Sequence, residues 1–291
     1  MDSCILQNLH LRLALKAQGA EMVRLQTLSG LDLLWDGDPA VWPRQAPTLF
    51  PIVGRLKDDT HTLNGRRYHL PQHGFARDLP WQLAKLSRER ATFVLRDTPG
   101  TQAMYPYPFE LRVTYRLLDQ AVRVIYELIN PGSTPLPASL GAHPALRWPL
   151  VPEGRREDYR IRFELPEAEP ILRLTGGLLD PTPRPTPVQE RTLPLRDELF
   201  EEDVLIFTRL RSRKLRYDAP GSPVVEVAWD GFPQLGLWTK PGAGFLCIEP
   251  WQGVASPVGF LGELSQKPGS ILVAPGESRR MAYQIAVWTD V

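Results

Sequence analysis

The chain has 291 residues, enough for one large domain or two small ones. Hydrophobic residues make up 43% and charged residues 23%, which are ordinary globular values, so the composition excludes a disordered or fibrous protein. Lys and Arg total 34 against 33 Asp and Glu, so the near-neutral charge gives no electrostatic basis for binding nucleic acid or an anionic membrane.

The cysteine and proline contents, together with the hydropathy of the chain, narrow the choice of fold class and of cellular compartment. Cys4 and Cys247 are too few for a disulfide framework or, by themselves, for a structural zinc site. Residues 1–15 lack a basic leader followed by an apolar run, and no apolar stretch reaches the roughly 20 residues of a membrane-spanning helix. We therefore expect a cytoplasmic protein. The thirty prolines favour many short elements joined by turns.

Apolar residues at every second position recur through the first half of the chain, and this period is typical of half-buried strands. The pattern predicts strands over residues 9–15, 60–63, 66–70, 81–87, 91–97, 109–118 and 121–129. Asn64-Gly65 favours the positive φ angles of a type I′ turn, so it predicts a tight hairpin. Asp119-Gln120 predicts a second hairpin between the last two of these strands.

The second half of the chain continues the pattern, with predicted strands over residues 159–165, 204–210, 223–229, 234–238, 245–249, 270–274 and 281–288. No helical stretches of 10–15 residues separate them, which favours an antiparallel β-sandwich over a βαβ fold. Short helical turns are predicted only near residues 39–42 and 196–201. The proline-rich residues 179–191 are interpreted as a long surface loop inside a single domain spanning residues 1–291.

Two histidines stand in contexts that present a side chain from irregular backbone. His73 lies between Pro71 and Gly74, which disfavour a helix and place the imidazole on a turn. His143 precedes a proline and is held extended, while Gly141 lets another group approach the backbone closely. Both imidazoles are candidates for acid–base chemistry near neutral pH.

Glu249 ends an otherwise apolar predicted strand. Burial of a carboxylate is costly and raises its pKa, so this glutamate is paired, turned to solvent or kept as a proton acceptor. Trp251 beside it offers an apolar face. Cys247 is expected to face the opposite side of the strand from Glu249 and to pack in the core.

Other reaction classes lack their motifs in this sequence. It contains no G-x-S-x-G nucleophile elbow, no G-x-x-x-x-G-K phosphate loop and no G-x-G-x-x-G between a strand and a helix. His69 and His73 have the spacing of two zinc ligands on a helix, but Pro71 would break that helix. We therefore expect no metal site.

Five segments occur in a characteristic order: LWDGDPAVW at residues 34–42, FPIVGRL at 50–56, QHGFARD at 72–78, GAHP at 141–144 and CIEPW at 247–251. This ordered set, which extends over essentially the whole chain, resembles the aldose 1-epimerase (galactose mutarotase) family, and within it the LacX-like bacterial branch. The resemblance implies an all-β fold, the large antiparallel supersandwich of galactose mutarotase, with a carbohydrate cleft and no metal or organic cofactor.

The resemblance also implies a reaction, the interconversion of the α and β anomers of a free hexose. Glu249 would be the general base that takes the proton of the anomeric hydroxyl, and His143 the general acid that protonates the ring oxygen. His73 would bind the sugar nearby or share the acid's role.

Substrate-binding residues are carried over in the same way. Arg55 and Asp203 match sugar-binding positions of the family, and Arg77 is a further candidate because guanidinium groups hold anions bidentately. Three tryptophans are candidates to stack on the apolar face of a sugar, although at least one is expected to pack in the core instead: Trp42, Trp81 and Trp251.

Two alternatives remain open. A hexose-6-phosphate epimerase shares the fold and a similar His-Gly-Phe-Ala-Arg motif, and its phosphate would be held by Arg55 and Arg77, helped by Arg44 or Lys57. The second alternative is a non-catalytic sugar-binding protein with the same sandwich fold. Binding alone, however, needs no acid–base pair. The expected partner is a small sugar, with no nucleic acid or membrane, and the assembly is a monomer or a homodimer.

Overall fold

The computed structural model describes residues 3–289, so the first two and last two residues of the predicted domain lie outside the described structure. In the first half of the chain the strands are β1 (Ser3–Gln7), β2 (Leu11–Lys16), β3 (Glu21–Thr27), β4 (Thr48–Leu49), β5 (Thr60–Leu63), β6 (Arg66–His69), β7 (Gln82–Leu86), β8 (Arg90–Arg96), β9 (Glu110–Leu118), β10 (Ala121–Ile129), β11 (Leu136–Ala138), β12 (Leu140–Ala142) and β13 (Ala145–Arg147). In the second half they are β14 (Arg160–Phe163), β15 (Ile171–Thr175), β16 (Leu178–Arg184), β17 (Thr192–Pro194), β18 (Leu205–Phe207), β19 (Lys214–Asp218), β20 (Val224–Asp230), β21 (Gln234–Trp238), β22 (Phe245–Gln252), β23 (Ile271–Val273) and β24 (Ser278–Trp288).

Helices are short, as predicted. The α-helix α1 (Pro99–Gln102) begins after Thr98, whose hydroxyl accepts the backbone N–H of Thr101. Single 3₁₀ turns occur at Lys57–Asp59, Ala76–Asp78, Arg156–Asp158, Asp197–Phe200 and Leu264–Gln266. Within residues 3–289, no helix has the length and apolar character needed to cross a membrane.

Two large antiparallel sheets form the body of the fold. One has nine strands in the order β17-β14-β19-β20-β24-β10-β9-β8-β7, and the other has the order β16-β15-β18-β21-β22-β12-β4, with β13 also paired to β22. Their facing side chains share one apolar core, in which the rings of Phe163 and Phe207 lie 5.6 Å apart. The predicted antiparallel β-sandwich is confirmed.

The tightest predicted hairpins are confirmed. Asn64 and Gly65 have φ angles of 50° and 78°, and the strands that they join pair from Leu63 with Arg66 outwards. The predicted strands over residues 121–129 and 234–238 coincide with β10 and β21. Strong alternation and a clear turn therefore fix the strand ends at these places.

One prediction, for the proline-rich residues 179–191, is wrong in part. They were expected to form a loop, but β16 runs through Arg184 and pairs with β15 across a bulge. β16 is the edge strand of its sheet and pairs on its outer side only at Leu179, with residues 256–258, among the described residues. The missing N–H groups of Pro181 and Pro183 are tolerated in the rest of such an edge strand. Proline spacing alone does not distinguish such an edge strand from a loop.

The alternation of β22 determines where a functional site can lie. Leu246 and Ile248 point into the core between the two sheets, so Cys247, Glu249 and Trp251 point to the opposite face of the strand. The expectation that Cys247 faces away from Glu249 is therefore wrong, because residues two apart in a strand share a face. Its expected burial is correct, since the side chain is fully enclosed.

Lys267 is a buried base whose side chain contacts the chain just after β22. It is 2% exposed, its ammonium group donates to the Val254 carbonyl and lies 3.4 Å from the Ser139 hydroxyl, and it forms no ion pair within the described residues. Burial lowers the pKa of Lys267 from 10.5 to about 7.

We expect Lys267→Met to remove a pH-dependent part of the free energy of unfolding. Burial penalises the charged lysine in the folded state, and this penalty is complete below pH 7 and disappears as the pH rises towards 10.5. Over this window the wild-type free energy of unfolding should therefore rise, relative to the variant, by up to about 1.4 kcal/mol per pH unit. Urea denaturation at both ends of the window measures this, with Lys85→Met on exposed β7 as the control. Identical pH slopes in wild type and Lys267→Met would contradict the expectation.

Candidate active site

A cavity of about 340 Å³ lies on the face of the eight-stranded sheet that points away from the sandwich core. This volume is within the range of small-molecule sites. Apolar side chains from β15 and β18 form part of its wall. The cavity also contains six of the seven predicted site residues: His73, Arg77, His143, Asp203, Glu249 and Trp251.

His143 and Glu249 are in direct contact in the cavity wall. His143 follows β12 and precedes β13, which both pair with β22, the strand of Glu249. Nε2 of His143 lies 3.2 Å from Oε2 of Glu249, and the two side chains are 9% and 1% exposed. The contact is not aligned as a hydrogen bond, and Oε2 of Glu249 has no other hydrogen-bond partner among the described residues. The second ring nitrogen of His143, Nδ1, also lacks a partner there.

Burial dominates the electrostatics of this pair. It raises the pKa of the Glu249 carboxyl well above its usual range, while the indole of Trp251 acts in the opposite direction. Burial also lowers the pKa of His143 to about 3, and the positive charge of Arg77 adds to this effect. Both shifts favour a protonated carboxyl beside a neutral imidazole.

His73 reaches the cavity from a turn, as predicted. Its φ angle is 64°, and its backbone N–H donates to the Gly54 carbonyl at 2.8 Å. Nδ1 of the ring accepts the Gly54 N–H at 3.2 Å, so the neutral ring carries its proton on Nε2. Burial, and then the charge of Arg77, lower the pKa of His73 well below its usual value. Its ring lies 5.8 Å from that of His143, so the two imidazoles share one cavity wall.

Trp251 lies flat across two glycines of neighbouring strands. A Cβ atom on Gly236 of β21 would lie 2.5 Å from the indole ring, and one on Gly141 of β12 would lie 2.8 Å from it. The prediction that Gly141 permits a close approach to the backbone is confirmed, and the approaching group is Trp251. The indole is 5% exposed and lines the cavity.

We expect Gly236→Ala to displace Trp251, because the new methyl group and the indole cannot occupy the same space. Overpacking of this kind should lower the free energy of unfolding by about 1–3 kcal/mol. Urea denaturation measures this effect. Gly244→Ala is the matched control, since its Cβ would lie 3.4 Å from Trp35, an ordinary contact. Equal stabilities for the two variants would contradict the expectation.

Two guanidinium groups border the cavity. Arg77 donates to the Gln72 carbonyl at 2.8 Å, but its Nε atom is buried without a hydrogen-bond partner in the described structure. Burial, followed by the nearby charge of Arg44, lowers the pKa of Arg77 to about 10. Arg44 pairs with Asp78 at 2.8 Å. This end of the cavity is therefore positively charged.

Two predicted binding residues differ in their placement. Asp203 lines the cavity and has a φ angle of 68°, and its carboxylate accepts the N–H of Val204 at 2.8 Å. Arg55 does not line the cavity in the part of the chain that the structure describes. Its guanidinium forms a two-point ion pair with Asp59 at 2.8 Å and lies near Gly177. The structure thus brings Asp203, but not Arg55, to the other candidates.

Two tryptophans cover His143. The indole of Trp42 stacks on the imidazole with centroids 5.0 Å apart, and Trp238 meets the same ring edge-on at 5.8 Å. Trp238 was not among the predicted site residues, although it lies two residues after Gly236 on the same strand face. Trp81 is buried in the core and donates its indole N–H to the Ala76 carbonyl at 2.9 Å, as expected for at least one of the candidate tryptophans.

Comparisons with known proteins agree with the fold and show the family. A family model for aldose 1-epimerase matches residues 2–286. The chromosomal form of protein LacX from Lactococcus lactis subsp. lactis is 32% identical, over 97% of this chain and 98% of that protein. The chain therefore belongs to the aldose 1-epimerase family.

Solved structures of the same fold extend the comparison. A galactose mutarotase related enzyme from Lactobacillus acidophilus is 29% identical with a TM-score of 0.93, covering 98% of this chain and 97% of that one. A galactose mutarotase-like protein from Lactobacillus casei is 26% identical with a TM-score of 0.91, covering 98% and 100%. The family resemblance found in the sequence motifs is confirmed.

Proposed function

We propose that the protein is an aldose 1-epimerase that interconverts the α and β anomers of an aldohexose by opening and reclosing the sugar ring. The observation that carries this proposal is the contact between Glu249 and His143 in the wall of a hexose-sized cavity, with His73 beside them. Membership of the aldose 1-epimerase family supports the same reaction.

Ring opening needs two proton transfers at adjacent oxygens. The Glu249 carboxylate takes the proton of the C1 hydroxyl, the C1–O5 bond breaks, and the imidazolium of His143 delivers a proton to O5. The product is the open-chain aldehyde. Rotation about C1–C2 exposes the other face of the aldehyde, and O5 attacks C1 as both protons return. Because both hemiacetal oxygens are bonded to C1, a base and an acid only 3.2 Å apart suit this transfer.

Burial helps the ring-opening step. The pair holds one proton, which lies on the imidazole before opening and on the carboxyl afterwards. Burial raises the pKa of Glu249 and lowers the pKa of His143, so it favours the proton distribution that ring opening produces. The carboxylate–imidazolium pair forms on contact with the sugar. The hydroxyl groups of the sugar supply the hydrogen bonds that Oε2 of Glu249 lacks among the described residues.

The remaining cavity residues are assigned to sugar binding. His73 carries its proton on Nε2 and donates a hydrogen bond to a sugar oxygen near the acid. Trp251 offers a flat apolar surface for the C–H groups of the pyranose, and Asp203 accepts hydrogen bonds from hydroxyl groups. The outward position of Arg55 does not support a direct contact with the sugar.

Exchange NMR between the α and β H1 resonances of an equilibrated sugar tests the proposal. We expect the protein to accelerate exchange of at least one free aldohexose, glucose or galactose, above the rate in buffer. Glu249→Gln at the same concentration is the control for catalysis by the protein surface. Sugar binding without acceleration for any aldohexose would overturn the catalytic proposal and favour a binding protein.

A hexose 6-phosphate is the second candidate substrate. It is favoured by the two guanidinium groups of Arg44 and Arg77 at one end of the cavity. Nε of Arg77 has no hydrogen-bond partner among the described residues, although it lies 3.6 Å from the Asp78 carboxylate. Guanidinium groups bind phosphate bidentately. The same NMR measurement with glucose 6-phosphate distinguishes the two substrates, because a phosphate-specific site would exchange it faster than glucose and would lose this preference in Arg77→Gln.

A further inference from the structure

Cys247 places a sulfur atom beside the acid–base pair. One potential ligand atom from each of His143, Cys247 and Glu249 lies within 4.8 Å of the other two. The three residues are 7%, 0% and 1% exposed. Nothing in the proposed reaction uses the thiol.

The ligand atoms are not fully occupied by other contacts. Oε2 of Glu249 is buried without a hydrogen-bond partner among residues 3–289, and the Nε2 atom of His143 that faces it makes no aligned hydrogen bond to it. A buried polar atom left unpaired costs roughly 1–3 kcal/mol, so a group that satisfies it gains that energy on binding. The unpaired oxygen belongs to the same carboxyl that approaches the imidazole at 3.2 Å.

The donor set selects one class of cation. A thiolate, an imidazole and a carboxylate are the ligands of Zn²⁺, whereas Mg²⁺ and Ca²⁺ prefer oxygen ligands alone. Zinc bonds of about 2.0–2.3 Å in a tetrahedron place the ligand atoms about 3.3–3.8 Å apart. The imidazole and carboxylate atoms, 3.2 Å apart, are already close to such a separation, and the sulfur, within 4.8 Å of both, reaches it by moving about 1 Å.

Charge and access also fit this cation. The thiolate and the carboxylate together balance both positive charges of Zn²⁺, so the complex is neutral in a buried environment. His143 and Glu249 line the cavity, while Cys247 lies behind them in a cluster with Ala145 and Phe245. A cation therefore enters through the cavity, and its fourth coordination position faces the space for sugar.

We propose that His143, Cys247 and Glu249 form an inhibitory site for Zn²⁺, in which the cation bridges the acid–base pair and prevents it from reaching a sugar. The inhibitory effect rests on the proposed function, whereas the metal site itself does not. Binding releases the thiol proton and the proton of the pair to solvent, and no redox step is involved.

Two measurements test the site. Co²⁺ replaces Zn²⁺ as a spectroscopic probe, and we expect a near-ultraviolet band of thiolate–Co²⁺ charge transfer that Zn²⁺ abolishes. We also expect Zn²⁺ to inhibit anomer exchange, with EDTA restoring the rate. Cys247→Ala should remove the thiolate band and raise the half-inhibitory Zn²⁺ concentration at least about tenfold. Cys4→Ser, which removes the other buried cysteine, is the matched control and should change neither result.

The outcomes are separable. A Co²⁺ complex without a thiolate band, or Zn²⁺ inhibition that is unchanged in Cys247→Ala, overturns the proposed metal site. A thiolate band that requires Cys247 in a protein without anomer exchange supports the metal site and overturns the proposed function. Cys247→Ser, which conserves the shape of the side chain, replaces the alanine variant if that variant does not fold, and Glu249→Gln should weaken Co²⁺ binding independently.

Discussion

Replacing Glu249 with glutamine is expected to slow anomer exchange by at least about a hundredfold while sugar binding remains largely intact. Glutamine has the shape of glutamate but cannot accept the hydroxyl proton of C1. The side chain is 1% exposed on β22, so the variant removes the base without opening a path for water to replace it. Exchange NMR gives the rate, and calorimetric titration gives the dissociation constant for the sugar.

The comparison that controls this result is Glu277→Gln, which removes an exposed carboxylate before β24 and outside the cavity. Its exchange rate should equal that of the wild type. An unchanged rate in Glu249→Gln would exclude Glu249 as the base, whereas equal losses of binding and rate would show that the carboxylate serves binding only.

His143→Asn is expected to reduce the exchange rate by about a hundredfold or more, because it removes the titratable imidazole that lies 3.2 Å from the Glu249 carboxylate. Asparagine keeps a polar side chain in the space between Trp42 and Trp238, which limits collapse of the cavity. The rate should fall more strongly than the sugar affinity. Exchange NMR and calorimetry again separate the two.

His73→Asn provides the decisive comparison for the acid. His73 is proposed to donate from Nε2, and its pKa is strongly lowered. Its replacement should therefore weaken sugar binding more than it slows anomer exchange of the bound sugar. If His143→Asn retains the wild-type rate while His73→Asn loses it, the acid is His73 and the roles of the two imidazoles must be exchanged.

The strand pattern and the site residues differ in how far they follow from the sequence. Period-two alternation and the Asn64-Gly65 turn depend on neighbouring residues, so the sandwich and its clearest hairpins were predictable. The grouping of His73, His143 and Glu249 was reached through the resemblance of ordered motifs. The distance of 3.2 Å between the last two depends on the pairing of β12 and β13 with β22, which no local pattern specifies.

The departures from the sequence-based expectations have physical causes as well. β16 tolerates prolines because it lies at a sheet edge, and edge position is a property of the whole sheet. The guanidinium of Arg55, which its motif assigns to the sugar, pairs with Asp59 four residues later, and no local pattern distinguishes this pairing from a position in the cavity wall. The error about Cys247 came from misapplying strand alternation, which places residues two apart on one face.

The two faces of β22 lie in different surroundings. Leu246 and Ile248 point into the interior between the sheets, whereas Cys247, Glu249 and Trp251 point to the other side, where Glu249 and Trp251 line the cavity. A change on the cavity side therefore disturbs the close packing of Trp251 on Gly236 and Gly141, whereas a change on the inner side disturbs the packing between the two sheets. The same eight residues thus join the cavity wall to the interior of the sandwich, and neither can shift far without the other.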